Sequence, residues 1–319
     1  MTYPALGALL ASTASTAAAG PVVKTWLHRR RNLDVPNDRS SHTVPTPRGG
    51  GLACAVGAVA GLLAARSARR EVSSEWITAS AALGFVGRLD DHVGLRAAPR
   101  LSAQVAVGAG VGARSGGIKG AIVGAVVMPT IVNAFNFMDG INGISGGTAV
   151  AWGASVASTE GVPSQSRMQG AVTAGMGLGF LPYNVPEASM FLGDVGSYLF
   201  GGGIAATVIQ SSFTDKRLDL GAAVNTLSPL IPYLADTGST IVKRATRGES
   251  ITQAHREHAY QRLIQETGWP HWRVSGIAAL ASALCGYVCH TPRRSLAAIP
   301  VTGIYLAAPS IARSMRSSS

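Results

Sequence analysis

Nine stretches of this chain contain no Lys, Arg, Asp or Glu: residues 1–23, 49–65, 120–138, 140–159, 168–186, 195–214, 220–235, 274–292 and 295–312. Most approach or reach the ~20 residues that carry an α-helix across a bilayer. Two weaker runs, 76–87 and 101–113, bring the total to eleven. Backbone groups in hydrocarbon must be satisfied within their own segment, so a chain of such runs is restricted to helices. The expected fold is all-α, a polytopic integral membrane helical bundle of about 10–11 transmembrane helices forming a single domain over 1–319. The competing reading is an Ala/Gly-rich soluble protein with buried helices. Nine long charge-free runs in one chain count against it.

Composition agrees. Only 13% of residues are charged, against about 25% in a soluble domain. The net charge of +11 suggests either nucleic acid or an anionic membrane. Nucleic acid would require a basic face on a soluble fold, whereas here the basic residues sit between apolar runs. Cys54, Cys285 and Cys289 are odd in number and lie inside apolar runs, which argues against a disulfide framework. Cys285 and Cys289, one helical turn apart beside His290, read as small packing residues rather than metal ligands.

The small residues of "ASTASTAAAG" suggest a secretory signal, but no basic leader precedes them. Lys24, Arg29, Arg30 and Arg31 follow the first run instead, which places the N-terminus outside and the C-terminus inside. The inner connections are then 24–48, 88–100, 135–146, 184–195, 236–273 and the tail. The outer ones are 66–75, 114–119, 160–167, 214–219 and 291–294. Lys and Arg are in excess on the inner side, although the outer turns carry basic pairs of their own. All the long polar segments are inner, so a chemical site would face the cytoplasm. Glycines at 108, 110 and 112, and at 175, 177 and 179, suit closely packed helices.

The first inner segment, "DVPNDRSSHTVPTPRGGG", is broken by proline and glycine and offers Arg39, His42 and Arg48 to anions. The second, "GRLDDHVGLRAAPR", places Asp90 beside Asp91 at the end of an apolar run. Adjacent carboxylates repel in a poor dielectric, and a divalent cation such as Mg²⁺ removes that cost. Arg96 and Arg100 follow at distances suited to phosphate. In the third, Asn133, Asn136, Asp139 and Asn142 recur every three residues along one helical face. Their side chains suit a nucleobase, a ribose or a sugar amide, or else hydrogen bonding between helices. The fourth, "FLPYNVPEASMFLGDVGS", contributes Asn184, Asp194 between two glycines, and Phe191, which could stack on a base. The fifth, read as a long loop from Asp236 to Arg273, carries Lys243, Arg244, Arg247, His255, Arg256 and His258. Such a cluster suits a diphosphate, or lipid headgroups beside a basic surface helix.

In this order the five segments resemble the polyprenyl-phosphate N-acetylhexosamine-1-phosphate transferases from about Asp34 to Leu263. The matching pieces are "DVPNDRSSHTVPTPRGGG", "GRLDDH", "NAFNFMDGING", "YNVPEASMFLGDVGS" and "HREHAYQRL". The resemblance implies an Mg²⁺-dependent transferase in the cytoplasmic membrane, with its catalytic loops on the cytoplasmic side. Such an enzyme moves a sugar 1-phosphate from a UDP-N-acetylhexosamine to a polyprenyl phosphate and releases UMP. It implies Asp90, Asp91 and His258 as catalytic residues, and Asp194 with Asp91 at the metal. It further implies Asn136, Asp139, Asn184, Phe191, Arg100 and Arg48 as substrate-binding. The expected partners are the two substrates, the membrane and a second copy of the chain in a homodimer, with no nucleic acid.

Two departures stand out. Asn142 occupies a position where many members carry aspartate, and His255 replaces an aspartate of the last motif. "AHREHAYQRL" is similar to the branch that takes 6-deoxy-N-acetylhexosamines, which points away from the muramoyl-pentapeptide. A transporter of an anionic solute and a lipid-diphosphate phosphatase are the rival readings.

Overall fold

A computed structural model describes residues 1–36, 43–70, 72–250, 256–289 and 296–317. Twelve α-helices follow one another among them: α1 (Tyr3–Arg29), α2 (Gly51–Ser67), α3 (Ser74–Val93), α4 (Ala97–Met138), α5 (Ile144–Ser158), α6 (Ser164–Phe180), α7 (Gly193–Ser211), α8 (Leu220–Leu227), α9 (Ile231–Thr246), α10 (Ala259–Thr267), α11 (His271–Val288) and α12 (Ala298–Ser317). The strands are confined to two antiparallel two-residue ladders. One pairs β1 (Leu33–Asp34) with β2 (Thr46–Pro47), and the other pairs β3 (Phe213–Thr214) with β4 (Arg217–Leu218). The fold is all-α. Two helices, α1 and α4, are long and apolar enough to cross a membrane, and α2 is a shorter apolar helix.

The apolar runs and the helices coincide, with two instructive exceptions. The runs 101–113 and 120–138 form one element, α4, folded sharply at Gly116 and Gly117, where Gly117 adopts φ +60°. Its two legs lie back to back. A Cβ on Gly112 would overlap the carbonyl oxygen of Gly120, and one on Gly108 that of Gly124. Only glycine allows so close an approach of two backbones. The second exception is the run 220–235, expected as a single span. Pro229 and Pro232 divide it into α8, a short 3₁₀ turn and α9, because proline lacks the amide needed to continue a helix. The segment 236–273, expected as a loop, is largely the remainder of α9 together with α10.

The centre of the bundle is α7. It is buried around nearly its whole circumference and packs on α2, α3, α4 and α6. Helix α1 pairs with α2 and α6, and α5 with α6 and α11. Cys285 and Cys289 are buried, in no disulfide, and packed beside Ala298, in agreement with a packing role. Because the connections are short, the helices alternate in direction. The N-termini of α2, α5 and α7 therefore meet the C-termini of α3, α4 and α6 at one end of the bundle.

Candidate active site

The site begins with an unusual N-terminus. Helix α7 has no side-chain cap of its own. Asp91, on the last turn of α3, supplies one from outside. The Asp194 N–H donates to its Oδ1 at 2.9 Å and the Val195 N–H to its Oδ2 at 3.0 Å. The first amides of a helix have no intrahelical acceptor and carry partial positive charge, so a carboxylate there is well placed. Gly193 makes this close approach feasible. It adopts φ +74°, and a Cβ there would sit 2.8 Å from Asp91 Oδ2.

Arg48 ties the two aspartates together. Its Nε lies 2.9 Å from Asp91 Oδ1, and a terminal nitrogen lies 2.9 Å from Asp194 Oδ2. Its position is fixed by backbone. Phe191 N–H donates to the Pro47 carbonyl at 2.8 Å, and Gly50 N–H donates to the Phe191 carbonyl at 2.8 Å. The "PTPRGG" segment thus lies beside the 191–194 turn, and Phe191 owes its place at the site to its main chain. The second Asp194 oxygen, Oδ1, accepts from Asn136 Nδ2 at 2.8 Å. Motifs up to 146 residues apart in sequence, at Arg48, Asp91, Asn136 and Asp194, form one hydrogen-bonded cluster.

Asp90 faces differently from its neighbour. Its Oδ2 pairs with Arg100 at 2.7 Å, and its Oδ1 accepts from the Leu95 N–H at 2.8 Å. The expected meeting of Asp90, Asp91 and Asp194 around a metal is therefore not the arrangement found. A guanidinium stands between Asp91 and Asp194, and Asp90 has its own arginine. Among the described residues no group of three or more His, Cys, Asp or Glu is arranged to hold a metal ion. Asp91, expected among the metal ligands, is completely enclosed, with both oxygens engaged. Asp194 keeps 17% of its side chain exposed. Its two oxygens are engaged by Asn136 and Arg48, but a carboxylate that solvent still reaches fits Mg²⁺, which takes one or two carboxylates and leaves its other positions to water and phosphate.

Electrostatics single out two carboxyls. Burial pushes Asp194 up to about 6. Arg48 pulls it down, while repulsion from Asp91 and Asp90 adds to the rise. Burial likewise raises Asp139, just past the end of α4, to about 7, with Ser145 opposing. Both resist ionisation at the protein's own expense, a pattern associated with functional sites.

Asn184 clamps two loops together. Its Oδ1 accepts from the Gly143 N–H at 2.6 Å, and its Nδ2 donates to the Met190 carbonyl at 3.1 Å. Asn142 performs a similar task, donating to the Pro186 carbonyl at 3.2 Å. Asn133 lies apart from the site. It exchanges hydrogen bonds with Gln104 across the α4 hairpin, at 2.8 and 3.3 Å. The asparagine ladder is thus divided, with its first rung holding two helical legs together and its later rungs reaching the site.

His258 is buried at the N-terminus of α10, stacked on Tyr260 with its Nδ1 3.4 Å from Asp236 Oδ1. Asp236 is the residue that motif spacing missed. It is wholly buried and accepts from the Ala259 N–H at 2.8 Å and the Tyr305 hydroxyl at 2.9 Å. The one signal in the sequence was its place as an acid at the end of a charge-free run. Arg244 and Arg247, expected at a diphosphate, are paired with Glu249 and Glu257. Arg39, His42 and His255 lie outside the described residues.

Buried carboxylates, guanidinium groups and helix N-termini, gathered at one end of an apolar bundle, are groups that suit phosphoryl transfer between anionic substrates. Residues 74–212 match the model of glycosyl transferase family 4. The chain is 29% identical to the decaprenyl-phosphate N-acetylglucosaminephosphotransferase of Mycobacterium tuberculosis, over 97% of this chain and 89% of the relative. It is 30% identical to the Mycolicibacterium smegmatis enzyme of the same name, over 72% and 68%. It is also 32% identical to the phospho-N-acetylmuramoyl-pentapeptide-transferase of Halalkalibacterium halodurans, over 44% and 42%. The chain belongs to glycosyl transferase family 4 and is one of its polyprenyl-phosphate N-acetylhexosamine-1-phosphate transferases. Membership and the two long apolar helices together fit a membrane-associated protein.

Proposed function

We propose that the Arg48–Asp91–Asp194 cluster is the transfer site, working at the cytoplasmic face of a polytopic inner-membrane protein. The observation that carries this reading is the bridging of two carboxylates by Arg48 at the α7 N-terminus. It gathers one guanidinium and a helix N-terminus with two carboxylates, a cluster still one positive charge short that a bound divalent cation would complete where two anionic substrates meet. A belt of exposed apolar side chains supports the multi-span architecture. It includes Leu10, Val59, Ile122, Leu284 and Ile304, on five different helices.

In the proposed reaction an oxygen of the polyprenyl phosphate bonds to the β-phosphorus of the UDP-sugar. The bond from that phosphorus to the bridging oxygen breaks, and UMP leaves with that oxygen. Such transfers rely on positioning and charge neutralisation. Arg48 and Arg100 neutralise phosphate oxygens, and the Asp91 cap holds the α7 N-terminus and Arg48 in register. Asp90 holds Arg100 beside the lipid phosphate. Asn136, Asp139 and the loops clamped by Asn184 form the nucleotide-sugar wall, with Phe191 beside the base. His258 is held by Asp236 at the edge of the same end. Asp194, with Asn136 beside it, is the residue placed to hold Mg²⁺, which when bound supplies charge to the diphosphate oxygens.

The sugar is proposed to be N-acetylglucosamine or a 6-deoxy-N-acetylhexosamine, in line with the mycobacterial relatives, and the lipid a long polyprenyl phosphate. The deciding experiment incubates the purified chain with a panel of UDP-sugars, reading UMP release and lipid-product mass with and without undecaprenyl phosphate. UMP release that depends on the lipid supports transfer. Release without lipid marks hydrolysis, and a muramoyl-pentapeptide product made as fast as the small sugars rejects the sugar assignment. Sidedness is tested by labelling single cysteines at positions 2 and 318 in a Cys-free background. Labelling of position 318 from outside intact cells rejects the orientation.

A further inference from the structure

The outer basic pairs reduce the positive-inside asymmetry, and the transfer reaction gives them no task. Three of these arginines sit together. Arg66 ends α2, Arg69 and Arg70 follow it, and with Arg114 from the bend of α4 they line a cleft of about 770 Å³. Arg114 pairs with Glu75. Among the described residues Arg66, Arg69 and Arg70 have no carboxylate within ion-pair distance, and Glu75 is the cleft's single acid. Glu71 follows in sequence, outside the described residues.

The base of the cleft is fixed rather than fluid. Gln210 Nε2 donates to Glu75 at 3.4 Å, and the Ser73 hydroxyl donates to Gln210 Oε1 at 2.9 Å. Gln169, fully buried, donates to the same Oε1 at 3.1 Å. Glu75, and with it Arg114, is thereby held at the rim. The remaining wall is apolar, with Val59, Leu63 and Ile77 running from the arginines along the outward faces of α2 and α3. They remain 57%, 61% and 43% exposed.

We infer that this cleft binds an anionic glycerophospholipid. The phosphate headgroup would lie among Arg66, Arg69, Arg70 and Arg114, and an acyl chain along Val59, Leu63 and Ile77. Charge complementarity selects an anion. The contiguous apolar wall selects a lipid, since a free phosphate would leave it bare. The position separates this lipid from the acceptor substrate. Arg48 precedes the start of α2 and Arg66 lies near its end, so the 17 residues between, at 1.5 Å rise, put the cleft ~25 Å from the transfer site. That is close to a bilayer's hydrocarbon thickness. The inference rests on the membrane-spanning reading of α2 and α3.

The test uses the full chain in a neutral detergent, titrated with phosphatidylglycerol or with phosphatidylcholine of the same acyl chains, binding being read by native mass spectrometry. Parallel arms use inorganic phosphate and glycerol 3-phosphate. The triple variant Arg66→Gln, Arg69→Gln, Arg70→Gln is expected to weaken phosphatidylglycerol binding on the order of a hundredfold, about fivefold for each arginine. Phosphatidylcholine binding should be unchanged, and lipid-dependent UMP release should persist. Unaltered phosphatidylglycerol affinity in the triple variant overturns the site. Equal competition by free phosphate overturns the lipid as occupant. Should the variant fail to fold, hydrogen exchange of the wild-type chain decides. Phosphatidylglycerol must protect amides of 66–78 more than phosphatidylcholine does, and equal protection overturns the inference. Loss of UMP release from the wild type would instead count against the transfer site, independently of these readouts.

Discussion

Asp194→Asn should separate the cost of the site from its use. The carboxyl is raised from 3.8 to about 6, first by burial. A carboxyl raised in the folded state adds stability that is fully present below its unfolded value near 4. That stability is lost as pH rises through about 6. At pH 8, then, the folded wild-type chain carries an ionised group it would rather protonate. Two units correspond to a ceiling of ~3 kcal/mol. Solvent reaches 17% of the side chain, and screening brings the expected figure down to ~1–2 kcal/mol. The Arg48 pair is already included in the raised value, so its loss does not reverse the sign. Asparagine keeps an oxygen for Asn136 and carries no charge. The variant should therefore melt a few degrees above wild type at pH 8, with the difference shrinking below pH 6 and vanishing only below about pH 4. Turnover should fall on the order of 10²-fold or more, because the Mg²⁺ charge partner is gone. The assays are thermal unfolding in detergent across pH and UMP release across a Mg²⁺ titration. A variant that melts lower than wild type at pH 8 would mean that burial does not strain the Asp194 carboxylate, and normal turnover in metal-free buffer would remove Asp194 from metal binding.

Asp91→Asn should behave in the opposite sense. Its amide keeps one oxygen and turns an NH2 either toward the Val195 N–H or toward the Asp194 N–H and Arg48, so melting at pH 8 should drop by ~1–3 kcal/mol together with activity. Asn133→Ala strands Gln104 inside the α4 hairpin and should cost ~1–2 kcal/mol in thermal unfolding, while the KM for the UDP-sugar stays constant. Gly112→Leu drives a side chain into the Gly120 backbone, and size-exclusion chromatography should show aggregate in place of a monodisperse peak. Asp236→Asn should lose ~2–4 kcal/mol, since Asp236 accepts from the α10 backbone and Tyr305 in a fully buried position. UMP release should fall with the displaced His258.

What the sequence determined by itself was that the chain is helical, where most of the apolar helices lie, and the list of chemical groups; the bend of α4 and the division of 220–273 into α8, α9 and α10 were not read. Charge-free runs are a local property, and the cost of burying charge is the same wherever a helix sits, so 49–65 and 168–186 read directly as α2 and α6. The paired acids at 90 and 91, the Gly-Asp-Val-Gly turn at 193 and the Pro-Arg-Gly-Gly stretch at 47 were visible for the same reason, since each breaks the local pattern. Tertiary structure decided what each group faces. Asp90 and Asp91 are adjacent in the chain, yet on a helix neighbouring side chains point about 100° apart, so one meets Arg100 and the other meets α7. Asn133 and Asn136 share a ladder, but only the bend at Gly117 places Gln104 opposite the first, and only α7 brings Asp194 to the second. Asp236 showed only its place at the end of a charge-free run, because a buried carboxylate is recognised by the amides that converge on it, and those of α10 arrive from a separate segment of chain. Arg48 could be read as a cation offered to anions and, through the resemblance, as a substrate-binding residue. That it bridges two aspartates from helices α3 and α7 follows from backbone hydrogen bonds between residues 47 and 191, a contact no local spacing encodes.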